Sequence, residues 1–198
     1  MATILGSRNA DRLTARANGD VVEGLGGNDT LSSMGLTGIS LFGGDGSDTL
    51  IAKASDTLID GGAGVDTVQF AAAVAGLANT ALEGVEKVAI TNTSAAAYDF
   101  SNQTEALNIT GSRVVDTITG GSGNDTITGG LGIDSLMGGA GDDVLVAEAT
   151  DALIDGGSGN NTVQFAAAVS GLTDVELSSV QNVVVTNTGN AAYDFSLQ

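Results

Sequence analysis

The stretch from Gly111 to Gln164 reads as six consecutive nine-residue units: GSRVVDTIT, GGSGNDTIT, GGLGIDSLM, GGAGDDVLV, AEATDALID and GGSGNNTVQ. The second, third and fourth follow the pattern G-G-x-G-x-D-x-U-x, with U apolar. A single match would carry little weight, because Gly and Asp fill ordinary turns. Three matches in tandem, flanked by weaker ones in an unbroken nine-residue register, decide the architecture.

In each unit the glycines permit a tight turn with close backbone approach, leaving carbonyl oxygens directed inward. The Asp at the sixth place adds carboxylate oxygen, and an anionic, all-oxygen shell suits calcium better than zinc or copper. The apolar eighth place lies on a short strand whose side chain enters the core. Two units make one coil, so turns on the same side recur every 18 residues. Asp125 then stacks on Asp143, and Asp116 on Asp134. A calcium ion between each pair would bind carboxylates from two successive coils. The competing reading is a metal-free solenoid in which Asp and Gly serve only as turn residues, but stacked carboxylates without a cation repel each other. The expected fold is all-β, a right-handed parallel β-roll or β-helix solenoid with two Ala-rich excursions.

The same beat runs outward from this stretch. Ile4, Leu13, Val22 and Leu31 mark it near the N-terminus, with Asp11, Asp20 and Asp29 at the sixth place. Ser33–Phe42 holds one extra residue, expected as a bulge, and no Asp, so that coil should be poor in metal. Register returns with GGDGSDTLI (Gly43–Ile51) and GGAGVDTVQ (Gly61–Gln69), which place Asp48 and Asp66 18 residues apart. The first Ala-rich excursion, Phe70–Lys87, reads equally as a short helix or an extended lobe. From Phe100 the apolar place recurs every nine residues through Ile109, Ile118, Ile127, Leu136, Leu145 and Ile154 to Val163. The chain is also duplicated with a period of 95: Leu58–Ser101 aligns without a gap on Leu153–Ser196. We therefore expect one continuous solenoid over 1–198, built of two tandem copies, 1–103 and 104–198. Its nine or ten coils at ~4.8 Å each would span about 45 Å. Asn161 stands where the first copy has Asp66, so the last loop should bind calcium weakly or not at all.

Composition narrows the function. Twenty-four acidic residues against six basic ones give a net charge of −18, which disfavours nucleic acid and anionic membranes as partners. The chain is not a disordered acidic tail, since 42% of its residues are hydrophobic and mean hydropathy is +0.21. A cation neutralising clustered Asp reconciles the two facts. There is no Cys and no His, so disulfides, thiol sites and the commonest general base are excluded. With no nucleophile elbow either, we expect no enzyme. The recurring Tyr98-Asp99 and Tyr193-Asp194 pairs fit strand alternation better than catalysis. Met1–Leu13 lacks the features of a cleavable secretory signal, and no transmembrane segment is present.

GGSGNDTIT, GGLGIDSLM and GGAGDDVLV resemble the RTX (repeats-in-toxin) proteins. Together with the Ala-rich lobe and the strand GVEKVAITNT at Gly84–Thr93, they look like the RTX surface-layer proteins and adhesins of Gram-negative bacteria. The resemblance implies several bound Ca2+ ions, type I secretion to the cell surface or exterior, folding triggered by extracellular calcium, and a structural or adhesive role. It implies carboxylate ligands at Asp29, Asp48, Asp66, Asp125, Asp134 and Asp143, and also at Asp11, Asp20 and Asp116. Carbonyl ligands would come from Gly44, Gly46, Gly62, Gly64, Gly121, Gly123, Gly139 and Gly141. The sequence after Phe195 shows no secretion signal of the expected kind.

The segment Ile4–Arg8 matches Ile109–Arg113, which continues the first copy past its junction, while the chain closes on YDFSLQ like the end of that copy. This leads us to expect head-to-tail self-association into a filament or lattice, with Phe195 of one copy under Ile4 of the next. A fragment of a longer surface protein is the other reading of the same match. An adhesin module, with its lobes contacting a surface partner such as a cell-surface polysaccharide, is the alternative function.

Overall fold

The computed structural model describes residues 1–165 and 177–186. The core of the second Ala-rich excursion, 166–176, and the segment 187–198 with Phe195 lie outside the described residues. The chain divides into two compact units, Met1–Thr91 and Asn92–Gln198.

Unit one contains ten strands: β1 (Thr3–Leu5), β2 (Arg12–Thr14), β3 (Val21–Gly26), β4 (Thr30–Ser32), β5 (Ser40–Gly46), β6 (Thr49–Ala52), β7 (Leu58–Gly64), β8 (Thr67–Phe70), β9 (Leu82–Glu83) and β10 (Lys87–Ile90). The odd strands form one parallel sheet in the order β1-β3-β5-β7-β9, and the even strands a second, β2-β4-β6-β8-β10. The chain therefore crosses from one sheet to the other at every turn and advances one rung every two strands. The nine-residue spacing produces this directly. The inner short strands bury their central apolar side chain and turn its neighbours outward, as in β4, where Leu31 is buried between half-buried Thr30 and Ser32. Parallel pairing stacks like on like: Val22 on Leu41 on Ile59 in one sheet, Leu31 on Leu50 on Val68 on Val88 in the other. All seven are fully or almost fully buried. Each such burial is worth about 1.5–3 kcal/mol relative to exposure.

Unit two repeats the design with β11 (Ala96–Asp99), β12 (Asn108–Thr110), β13 (Asp116–Thr119), β14 (Thr126–Thr128), β15 (Ser135–Met137), β16 (Val144–Ala147), β17 (Leu153–Asp155), β18 (Thr162–Phe165), β19 (Leu177–Ser178) and β20 (Asn182–Val185). Its sheets run β11-β13-β15-β17-β19 and β12-β14-β16-β18-β20. Their buried columns are Ile118, Leu136 and Ile154, and Ile109, Ile127, Leu145 and Val163. The β-solenoid expected from the repeats is thus present in both units.

Two details differ from the sequence reading and one was left open there. The rung below Ile118 is Tyr98, its direct partner in β11, and not Phe100. Phe100 is buried just past the strand end, because the connection 100–107 is longer than a nonapeptide turn and needs its own apolar anchor. The extra residue near Ser33 is not a strand bulge: Thr30 pairs with Thr49 and Ser40 with Leu58 in regular register, so the connection 33–39 absorbs it. The first excursion is mostly extended, with a 3-10 turn at Asn79–Ala81, and Val74, Leu77, Leu82 and Val85 are buried.

Candidate metal centre

In unit one, the turns leading from an odd strand to the next even strand all lie along one edge and end in Asp11, Asp29, Asp48 and Asp66. Their side chains form a ladder. The backbone N–H of Asp11 donates to Asp29 Oδ1 (2.7 Å), that of Asp29 to Asp48 Oδ1 (2.7 Å), and that of Asp48 to Asp66 Oδ1 (2.6 Å). The N–H of Asp66 donates to Glu86 Oε2 (2.8 Å). Unit two builds the same column. Leu107 N–H donates to Asp125 Oδ1, Asp125 to Asp143 Oδ1, Asp143 to Asn161 Oδ1 and Asn161 to Gln181 Oε1, at 2.6–2.9 Å. On the opposite edge of unit two, Asp116 donates to Asp134 Oδ1 (2.8 Å) and Asp134 to Asp151 Oδ1 (3.0 Å). One oxygen of each accepting carboxylate is thereby committed to the coil before it by a charge-assisted bond.

The other oxygen is the informative one. Oδ2 of Asp29, Asp48, Asp66, Asp134 and Asp143 is buried and has no hydrogen-bond partner. Among the described residues no Lys or Arg pairs with any of them. An added Cβ on Gly43 would meet both Asp48 Oδ2 and the Gly61 carbonyl; one on Gly138 would meet both Asp143 Oδ2 and the Gly156 carbonyl. The first glycine of the unit thus opens a cradle lined by anionic and carbonyl oxygens with no donor, an arrangement costly to bury without a cation. Electrostatics agree. Burial first, with the neighbouring carboxylates adding to it, pushes Asp134 and Asp143 up to about 6. The same causes raise Asp48 and Asp66, and burial raises Asp125.

The family model of the RTX calcium-binding nonapeptide repeat matches four stretches, 3–32, 41–71, 110–145 and 128–163, which together cover more than half of the chain. The chain belongs to the RTX calcium-binding repeat proteins. Comparison with curated proteins gives no significant match. RTX nonapeptides bind Ca2+, several ions per array, and proteins carrying them are typically secreted by the type I route. No helix among the described residues is long and apolar enough to cross a membrane.

The RTX turns of this chain fit calcium by their donor set. Among the described residues no three acidic side chains gather at one point, so main-chain carbonyls must complete any shell. Mixed carboxylate and carbonyl oxygen is what a hard, flexible cation such as Ca2+ accepts.

The expected ligands fall into two groups. Asp29, Asp48, Asp66, Asp134 and Asp143 hold the unpaired buried oxygen described above. The others have local donors. Oδ2 of Asp11 accepts from Ser7 N–H and Ser7 Oγ, and Oδ2 of Asp116 from the same atoms of Ser112, all at 2.7–2.8 Å. In these two units a serine occupies the second glycine place and its hydroxyl supplies the positive end of a dipole. Asp125 Oδ2 accepts from Gly121 N–H (2.7 Å). Asp20 caps its own turn, taking N–H groups from Ala2, Arg16 and Ala17, and these hold its carboxyl below the ordinary range.

The glycines expected as carbonyl ligands also build the turn itself. Gly44, Gly46, Gly62 and Gly64 continue the β5–β7 ladder through the turn, and the carbonyls of Gly121 and Gly139 accept N–H from Ala140 and Ser158. A Cβ on Gly62 would strike the Gly44 carbonyl, and one on Gly141 the Gly123 carbonyl, so these positions serve close coil-to-coil approach. Beside the unpaired oxygens of Asp29, Asp48 and Asp143 lies a carbonyl of the first glycine of the matching turn one coil on, Gly43, Gly61 or Gly156. Sequence reasoning missed these and Glu86, which closes the ladder of unit one. The signal was available: Glu86 lies 20 residues after Asp66, close to the 18-residue beat.

Proposed function

We propose that this chain is a calcium-dependent structural protein of the cell surface or extracellular matrix, whose copies associate head to tail into a filament or a surface-layer-like lattice. The observation that carries the calcium dependence is the column of buried, unpartnered Oδ2 atoms at Asp29, Asp48, Asp66, Asp134 and Asp143. These five carboxylates, with the adjoining first-glycine carbonyls, are the assigned ligands. Extracellular RTX-type sites of Kd ~10⁻⁴–10⁻³ M would each add about 1.4 kcal/mol at ten times Kd. Five would add about 7 kcal/mol, comparable to the whole stability of an ordinary domain.

Self-association is supported by the open edge of unit one. Strands β1 and β2 each have a pairing partner on one side only, and Leu5 is 58% exposed there. Arg8, Arg12 and Arg16 are exposed along the same rungs, set to meet an acidic surface in a protein of net charge −18. Such an edge invites strand addition by another copy. The heterologous contact extends into a filament unless its geometry closes a ring.

Circular dichroism, with electron microscopy and sedimentation in calcium and in excess chelator, tests both levels. Chelation should abolish the β signal or lower the melting temperature steeply, and should disperse filaments or sheets. Unchanged spectra and melting in chelator would refute the calcium reading. Monodisperse monomers under both conditions would refute assembly and favour the adhesin alternative, for which the apolar groove between Met34, Ile51 and Ala71–Ala73 is the candidate contact.

A further inference from the structure

The 95-residue duplication supplies a comparison within one molecule. Asp66 corresponds to Asn161, Gly62 to Gly157, Gly84 to Ser179 and Glu86 to Gln181. Both acids at the top of the unit-one ladder are therefore replaced in unit two by their isosteric amides, and the ladder itself is unchanged. Asp48 N–H donates to Asp66 Oδ1 as Asp143 N–H does to Asn161 Oδ1. Asp66 N–H donates to Glu86 Oε2 as Asn161 N–H does to Gln181 Oε1.

The bond from Asp143 fixes the orientation of the Asn161 amide, so Nδ2 occupies the place that Oδ2 has in Asp66. Asn161 Nδ2 donates to the carbonyls of Gly157 (3.3 Å) and Ser179 (3.1 Å). The site thus contains two acceptors facing a third position, and in unit two that position carries a donor. In unit one it carries Asp66 Oδ2, a third acceptor, buried and without a partner. An added Cβ on Gly61 would meet both the Gly84 carbonyl and Asp66 Cγ, which places the two groups in one cradle.

We propose that Asp66 Oδ2, the Gly62 and Gly84 carbonyls and Glu86 form a calcium site that reaches past the end of the repeat match at residue 71, and that the Asn161 amide does the cation's work in unit two. The two copies then differ in kind at the same step: one is closed by a divalent ion, the other by a permanent hydrogen-bonded clip. Unit two keeps this coil closed when calcium is withdrawn.

The proposal rests on the calcium reading above, and its test separates the two. Native mass spectrometry of the full chain in calcium counts bound ions, with circular dichroism reporting the fold. D66N/E86Q should bind one ion fewer than the parent, and N161D/Q181E one more, both with the parental β spectrum in saturating calcium. An unchanged count in either folded pair overturns the proposal; if D66N/E86Q does not fold, the count of N161D/Q181E decides alone. A parent chain that binds no calcium would instead overturn the reading on which the proposal stands.

Discussion

Asp134 and Asp143, raised to about 6 by burial and neighbouring carboxylates, make the metal-free fold sensitive to acid in an unusual direction. An unfolded Asp titrates near 3.8, so the folded, calcium-free protein holds these protons more tightly than the unfolded chain. Their stabilising contribution is complete below that value and disappears as pH rises through about 6. In chelator the protein should therefore melt at a higher temperature at pH 4.5 than at pH 7.5. In saturating calcium the order should reverse, because protons compete with the metal. Thermal melts at the two pH values, with and without calcium, check this; equal melting temperatures in chelator would contradict it. At this scale the sixth-place Asp residues were legible because they recur every 18 residues. Which of them keeps an unpaired oxygen was not legible, since that depends on donors such as Ser7, Ser112 and the Gly121 N–H, whose aim follows from the turn and not from the repeat.

Among the elements, the short strands depend on their central apolar side chain. Leu136 pairs with Ile118 on one side and Ile154 on the other, and is fully buried. Leu136→Ala should cost about 2–5 kcal/mol, the usual range for a core truncation. Urea unfolding at fixed saturating calcium measures it, and a loss below about 1 kcal/mol would mean that the column does not carry the core. These columns were readable from the nine-residue beat alone. The beat misplaced the rung at Tyr98, where the long connection 100–107 breaks the count and brings Phe100 into the core as a second anchor. The first excursion was not readable either, since alanine-rich sequence supports helix and extended chain alike and tertiary packing of Val74, Leu77 and Val85 decided between them.

Across the whole molecule, the duplication and the excess of acid were plain in the sequence, and together they led to a solenoid held by cations. Within unit one the two edges obey different rules. The ladder edge keeps its Asp residues 18 or 19 positions apart, while the connections on the other edge, 15–20, 33–39, 53–57 and 71–81, vary in length without disturbing a single strand pairing. That freedom makes the second edge a natural graft point. A foreign loop inserted after Gly35 should be displayed outward while ion uptake, counted by calorimetry, stays at the parental number; the same insertion after Gly46 should lower it. Evolution, or an engineer, could dress one flank of this protein with new recognition surface and leave the mineral-bound flank untouched.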